Sequence, residues 1–285
     1  MRPHDLVIVG GGPAGLAAGI QAVHMGLKAV ALEKEAWGGR LRMARKVENI
    51  PGLRHPLRGV EVVDRIVSQA RAKGLTMERH ACMSLDYQEP LFKICGAAHD
   101  YQSHAVIVAC GTRSRRLELP GPADASTRLF YSWRDLPAVR GRKVAIVGGG
   151  EAALDQACSL AEDGALVTVL IRSHQPRSFK GLVWEAERLG VRIFTDTEIR
   201  TTEVKEDRLI LEASGPHASS LSVDYLLAAV GVEPVDLDMT FRAAEREGHG
   251  LYWAGDVKSG RFRQAAIAFG DGIRAAMMVC NQLRW

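Results

Sequence analysis

The sequence predicts an α/β fold built on two β-turn-α-β units, each opened by a glycine-rich turn. Three observations predict it. Gly10, Gly12 and Gly15 follow the apolar strand Leu6–Val9 and precede the Ala-rich helix Leu16–Met25. Gly148, Gly150 and Ala153 repeat the arrangement 138 positions later, between strand Lys143–Val147 and helix Leu154–Asp163. A second strand closes each unit, Leu27–Leu32 in the first and Ala165–Ile171 in the second.

Composition narrows the class. A chain of 285 residues suits two domains, and 47% hydrophobic with 25% charged residues excludes a disordered chain or a disulfide scaffold. A net charge of +4 is too small to imply nucleic acid. No run of 18 apolar residues occurs, so no membrane span is expected. With a strand from Leu6, no signal peptide is expected. The five cysteines, Cys82, Cys95, Cys110, Cys158 and Cys280, are scattered and contain no C-x-x-C. They form neither a disulfide framework nor a zinc site, and a reduced, cytoplasmic protein is expected. The nine histidines show no metal-ligand spacing, so no metal is expected.

The remaining elements follow from periodicity and punctuation. Gly59–Lys73 reads as an amphipathic helix, Ser84–Cys95 as short alternating segments, and Ala105–Ala109 as a buried strand. Leu182–Leu189 reads as helix, Ile199–Ala213 as two strands around a polar turn, and Leu226–Val230 as another buried strand. Tyr252–Ala254 is a last short strand and Gln264–Leu283 a closing helix. Leu117–Pro122 and Gly231–Asp236 are the linkers, each containing proline.

The glycine turns carry chemistry. In G-x-G-x-x-G the first glycine permits the tight turn, the second admits a pyrophosphate, and the third lets helix and strand pack closely. Pro13 and Ala14 complete the first turn, whose helix start offers free N–H groups to phosphate. Glu33, 23 positions after Gly10, ends the second strand, where a carboxylate accepts from ribose hydroxyls. A lone glycine motif is weak, but the flanking elements and the acid argue against a merely structural turn. In the second unit the matching position is Ile171, followed by Arg172 and, further on, Arg177. A missing acid beside guanidinium groups suits a 2′-phosphate, hence NADPH over NADH. The competing reading of these arginines is a solvated surface.

In the order of its motifs the chain resembles the two-dinucleotide flavoproteins of the low-molecular-weight thioredoxin reductase group, which includes thioredoxin-reductase-like ferredoxin/flavodoxin–NADP reductases. The carrying residues are the two turns, Gly38-Gly39 with Leu41, Val47–Gly52, Val108–Gly111, Ala229–Gly231, Ala254-Gly255-Asp256 and Arg263–Ala266. The resemblance implies two Rossmann-like domains. An FAD domain, residues 1–116 and 236–285, would be interrupted by an NADPH domain, residues 117–235. It implies FAD contacts from Glu33, Gly39, Asn49, Asp256, Gln264 and Ala265. Lys34, Gly38, Arg40, Leu41, Cys110, Gly111, Gly255 and Arg263 complete that side, and Glu151, Ala152 and Gly231 the NADPH side. It also implies a homodimer.

The departure is informative. Thioredoxin reductases carry a Cys-x-x-Cys shortly before the second glycine unit, where this chain has Tyr131 and Arg134. Neither side chain relays electrons as a dithiol. No catalytic side chain is assigned, since the flavin would carry the chemistry. A ferredoxin or flavodoxin is the first expected acceptor. The alternatives are a thioredoxin-like disulfide with its thiols elsewhere, or a flavin module without turnover. Cys110 reads as packing, Ala14 stands where a related single-cysteine reductase has its cysteine, and Trp285 reads as a frayed terminus. Arg113, Arg115, Arg116 and Lys258, Arg261, Arg263 form two basic clusters that read mainly as solvated faces.

Overall fold

Apolar strands alternating with Ala-rich helices lay a parallel sheet under each glycine turn. The computed structural model describes residues 2–216, 220–243 and 246–284, so Trp285 lies outside the described residues. The chain divides into two compact units, Met1–Arg113 with Glu233–Trp285, and Ser114–Val232. The chain crosses between them in strands Thr112–Ser114 and Val232–Pro234, which pair with one another. The first crossing falls a few residues before the expected linker Leu117–Pro122, and the second lies inside the expected linker Gly231–Asp236.

In the first unit the strand order is Asp238–Met239, Cys82–Gln88, Leu91–Gly96, Tyr101–Val108, His4–Val9, Ala29–Leu32, Thr76–Glu78, with Leu251–Trp253 also on Tyr101–Val108. His4–Val9 pairs in parallel with both neighbours, Leu6 opposite Ala29 on one side and Ala105 on the other. Alternate residues serve opposite faces. Leu6, Ile8, Ala31 and Ile107 pack against helices Pro13–His24 and Ala265–Leu283. Val7, Val9, Leu32 and Val108 pack against Leu85, Phe92 and Ile94 of the antiparallel hairpin. Both faces are buried, which is why these strands read as continuous apolar runs. Each fully buried aliphatic side chain contributes about 1.5–3 kcal/mol.

The Tyr101–Val108 strand begins four residues before the expected Ala105. Its first half alternates buried and exposed residues and pairs with the hairpin, Ser103 opposite Phe92. Only its second half belongs to the doubly covered parallel region, and only that half was legible as an apolar run. Helix Pro13–His24 likewise starts earlier than Leu16, because proline at its first turn needs no N–H partner.

The second unit holds a five-stranded parallel sheet, in order Arg192–Phe194, Leu166–Leu170, Lys143–Val147, Tyr225–Ala228, Leu129–Phe130. Helices Glu151–Glu162 and Lys180–Arg188 cover it through Leu154, Ala157, Leu182 and Ala186. The two strands expected in Ile199–Ala213 are Glu198–Lys205 and Arg208–Ser214. A third, Ser220–Val223, joins them and escapes sequence reading because its serines carry no apolar signal. No helix among the described residues is long and apolar enough to cross a membrane.

Candidate functional site: two uncapped glycine turns

The duplication seen in the sequence persists at the level of single hydrogen bonds. Gly10 N–H donates to the Leu32 carbonyl at 2.8 Å, and Gly148 N–H to the Leu170 carbonyl at 3.0 Å. Ala109 N–H reaches the Val9 carbonyl at 2.7 Å, and Ala229 N–H the Val147 carbonyl at 2.8 Å. Gly38 N–H donates to the Gly11 carbonyl at 2.7 Å, while Arg177 N–H donates to the Gly149 carbonyl at 2.6 Å. The second unit thus sets Arg177 beside its turn at the place where the first has Gly38.

Space around the glycines separates structural from ligand-facing roles. A Cβ on Gly15 would lie 1.8 Å from the Gly10 carbonyl oxygen, so helix and strand touch there. Gly10 has φ +112°, and a Cβ would meet the Ala109 carbonyl oxygen at 2.3 Å. Gly12 and Gly150 differ: nothing lies within 4 Å of a Cβ on either. The structure does not need glycine at those two positions, whereas a closely approaching phosphate does. Ala153 replaces the third glycine in the second turn and is fully buried there.

The helix starts fit the same ligand. Pro13–His24 and Glu151–Glu162 begin at Gly12 and Gly150 without a side-chain cap. Ala265–Leu283 begins at Gln264, whose Oε1 accepts from Asn49 Nδ2 at 2.9 Å and does not cap the helix. An uncapped start leaves backbone N–H groups and a positive dipole end for an anion. The first and last helices carry no acid in their first turns; the second carries Glu151 there, beside the exposed Ala152.

Glu33 is held ready. Its Oε2 accepts from Gly11 N–H and its Oε1 from Glu35 N–H, both at 2.8 Å. A carboxylate has about four lone-pair sites, so capacity for ribose hydroxyls remains. Lys34 projects outward and pairs with Glu35 at 3.3 Å. Gly38 packs on Val63, and Gly39 opens the turn Gly39–Met43 that carries Arg40 and Leu41.

The fold joins these to the far end of the chain. Asn49 and Gln264, bonded to one another, are 215 positions apart. Burial pushes the Asp256 carboxyl up, and Arg263 and Arg40 oppose that shift. Burial also lowers Arg40, with Asp256 opposing and Arg263 reinforcing. The Nε of Arg263 is buried and has no hydrogen-bond partner among the described residues. A buried orphan donor of this kind suits a polar ligand. Sequence reasoning left two residues out of this site. Asp271 Oδ2 accepts from Gly255 N–H at 3.3 Å and so steadies the Asp256 turn. A Cβ on Gly272 would lie 2.0 Å from the Ala14 carbonyl oxygen, so the last helix rests on the first turn. Both roles rest on contacts with other elements, which no local pattern records.

In the second unit Ile171 is buried against Gly149. Arg172 and Arg177 are exposed. Gly231 accepts from Arg115 N–H at 3.0 Å, and on the first unit's side Gly111 accepts from Val235 N–H at 3.0 Å.

The segment in place of a cysteine pair is tied into ordinary structure. The Tyr131 hydroxyl accepts from Leu117 N–H at 3.1 Å, and Arg116 lies over its ring. Ser132 caps the short turn Trp133–Asp135 by accepting from Arg134 N–H, and the Arg134 guanidinium lies over Trp133. None of the five cysteines is in a disulfide. Burial pushes the Cys110 thiol up to about 11 and the Cys82 thiol up to about 12. Cys95 is raised chiefly by its hydrogen bond with Asp100. A thiolate-based relay needs the opposite shift. Iodoacetamide at pH 8 is therefore expected to label Cys82 and Cys110 in the native protein about a hundredfold more slowly than a free cysteine. Labelling should accelerate as pH rises toward 11 for Cys110. Mass spectrometry of the labelled peptides reads this directly.

The family model for pyridine nucleotide-disulphide oxidoreductases matches residues 4–272. The chain belongs to that family. It is an NAD(P)H-dependent flavoprotein oxidoreductase of the thioredoxin reductase-like group, whose cofactors are FAD and NADPH. The bifunctional thioredoxin reductase/thioredoxin of Mycobacterium leprae is 29% identical over 96% of this chain and 64% of its own length. This chain therefore spans just under two thirds of that relative. The thioredoxin reductase of Treponema pallidum is 27% identical over 96% of this chain and 95% of its own. Among solved structures, the thioredoxin reductase of Lactococcus lactis superposes with a TM-score of 0.86 at 22% identity, covering 99% of both chains. That of T. acidophilum gives 0.87 at 23% identity, covering 100% of both. These likenesses establish the α/β fold.

Proposed function

We propose that this protein holds FAD in the unit containing Gly10–Gly15 and NADPH in the unit containing Gly148–Ala153, and reduces the disulfide of a small thioredoxin-like protein. The observation that carries the reading is the pair of matched, uncapped turns, one followed by Glu33 and the other by Ile171 and Arg172. FAD bound there would supply hydride-accepting and two-electron chemistry, for an overall conversion of NADPH, a proton and one disulfide to NADP⁺ and two thiols. The chain's residues bind and orient. The helix start at Ala265, together with Arg40 and Arg263, favours negative charge near Asp256. The names of the relatives support the thioredoxin-like acceptor. Tyr131 and Arg134 in place of a Cys-x-x-Cys support a reading in which both sulfurs of the reduced disulfide belong to the partner.

One observation favours a second reading. The same absence of a dithiol suits a ferredoxin or flavodoxin, which takes electrons without sulfur exchange. Ile267, Ile273, Met277 and Met278 are exposed on the last helix and support a homodimer through that face. Five cysteines without a disulfide accord with a reducing, cytoplasmic setting.

Anaerobic mixing of the yellow protein with NADPH tests the reading. Bleaching by NADPH, followed by reoxidation on adding thioredoxin disulfide, is expected. Reoxidation by ferredoxin but not by the disulfide moves the assignment to the second reading. No bleaching by either nicotinamide cofactor removes the NADPH-dependent function altogether.

A further inference from the structure

The Glu78, His80 and His99 side chains form the only His/Cys/Asp/Glu group among the described residues with metal-ligand spacing. It lies in the first unit, on residues assigned to neither turn. Glu78 ends the edge strand Thr76–Glu78, His80 follows two positions on, and His99 precedes the strand Tyr101–Val108. Glu78 Oε2 lies 3.2 Å from His99 Nε2 and 3.5 Å from His80 Nε2. Ligands about 2.0–2.2 Å from a tetrahedral zinc ion stand about 3.3–3.6 Å from one another. The 3.5 Å separation falls within that range and the 3.2 Å separation just below it.

Three further details point the same way. His80 Nδ1 faces the Ala81 carbonyl oxygen at 3.4 Å. Donation there leaves the Nε2 lone pair turned toward Glu78, the arrangement that a backbone carbonyl imposes on metal-ligating histidines. The Tyr101 hydroxyl, 2.5 Å from both Glu78 Oε2 and His80 Nε2, donates to the carboxylate and closes the fourth side. The His80 Nε2 lone pair, the His99 ring and the Tyr101 hydroxyl thus converge on one carboxylate oxygen. A cation there accepts the facing lone pairs and relieves their repulsion. Finally, a Cβ on Gly96 would lie 2.6 Å from His80 Cε1, so glycine there makes room for the ring. His80 is 10% exposed, while His99 at 45% and Glu78 at 31% open the group to solvent.

We propose that Glu78, His80 and His99 bind one divalent cation of the zinc class, with water or Tyr101 at the fourth position. The ion fastens the edge strand to the turn before Tyr101–Val108. It takes no part in electron transfer, since zinc has no redox chemistry. The Glu33 N–H donates to the Glu78 carbonyl at 3.0 Å, so the strand being fastened is the one that abuts the ribose-binding acid.

The test uses tag-free, FAD-loaded protein stripped with a chelator and titrated with Zn²⁺ against a chromophoric competitor. One equivalent is expected to bind and to raise the melting temperature. His99→Ala, at a half-exposed position, and Glu78→Gln, which keeps the side chain's size, should each weaken uptake by at least about a hundredfold. Metal-free melting of His99→Ala and its bleaching by NADPH should match the parent protein, which separates lost ligation from lost folding. Co²⁺ should give four-coordinate visible bands without a thiolate charge-transfer band. Absence of uptake, uptake unchanged in both variants, or a thiolate band marking a cysteine site would overturn the proposal.

Discussion

Replacing Gly12 by valine is expected to give a folded, colourless protein. Gly12 has φ −73° and ψ −173°, an extended conformation open to any residue. No atom lies within 4 Å of a Cβ placed there, so the fold loses nothing. The added side chain instead fills the approach of a pyrophosphate to an uncapped helix start. FAD affinity should fall at least about a hundredfold, roughly 3 kcal/mol, with a melting temperature close to that of the parent apoprotein. Absorbance of bound flavin and circular dichroism measure the two quantities on one sample. Gly150→Val is the matching control: it should purify yellow yet resist bleaching by NADPH. Gly15→Ala should behave in the opposite way to Gly12→Val. Its Cβ would collide with the Gly10 carbonyl oxygen at 1.8 Å, so the cost falls on folding, about 1–3 kcal/mol. A Gly12→Val protein carrying full FAD would refute the assignment of the first turn.

Arg172→Ala is expected to raise KM for NADPH about 10–100-fold and to leave KM for NADH within about threefold. A hydrogen bond to a charged group contributes about 1.5–3 kcal/mol, which sets that range. The physical case rests on Ile171, buried at the position where the first unit has Glu33. No carboxylate there repels a 2′-phosphate or accepts from a 2′-hydroxyl. Arg172 follows at once, and the backbone of Arg177 is bonded to the turn through Gly149. Rates of anaerobic bleaching across both cofactors give the ratio. A parent protein bleached faster by NADH than by NADPH would reverse the argument from these residues.

The extent to which the sequence revealed the site follows from the range of the forces involved. The two turns were legible because each needs glycine for local reasons, a positive φ at Gly10 and Gly148 and a close contact at Gly15. The strands were legible where both faces are buried, as in His4–Val9, and illegible where one face is polar, as in Ser220–Val223. The motifs Asn49 and Gln264 could be read singly, whereas their hydrogen bond across 215 positions could not. Asp271 and Gly272 went unassigned because their partners, Gly255 and Ala14, lie on other elements.

What the sequence alone determined was therefore the α/β class, the duplicated glycine turns, the acid Glu33 against Ile171 and Arg172, and the lack of a Cys-x-x-Cys. These depend on backbone conformation and on identity at short spacing, which a linear pattern records. Only the tertiary structure decided that the half-buried thiols are raised and that the helix starts are uncapped. It alone also brought together Glu78, His80 and His99. Burial and convergence depend on which elements pack together, and no local spacing among nine histidines encodes that.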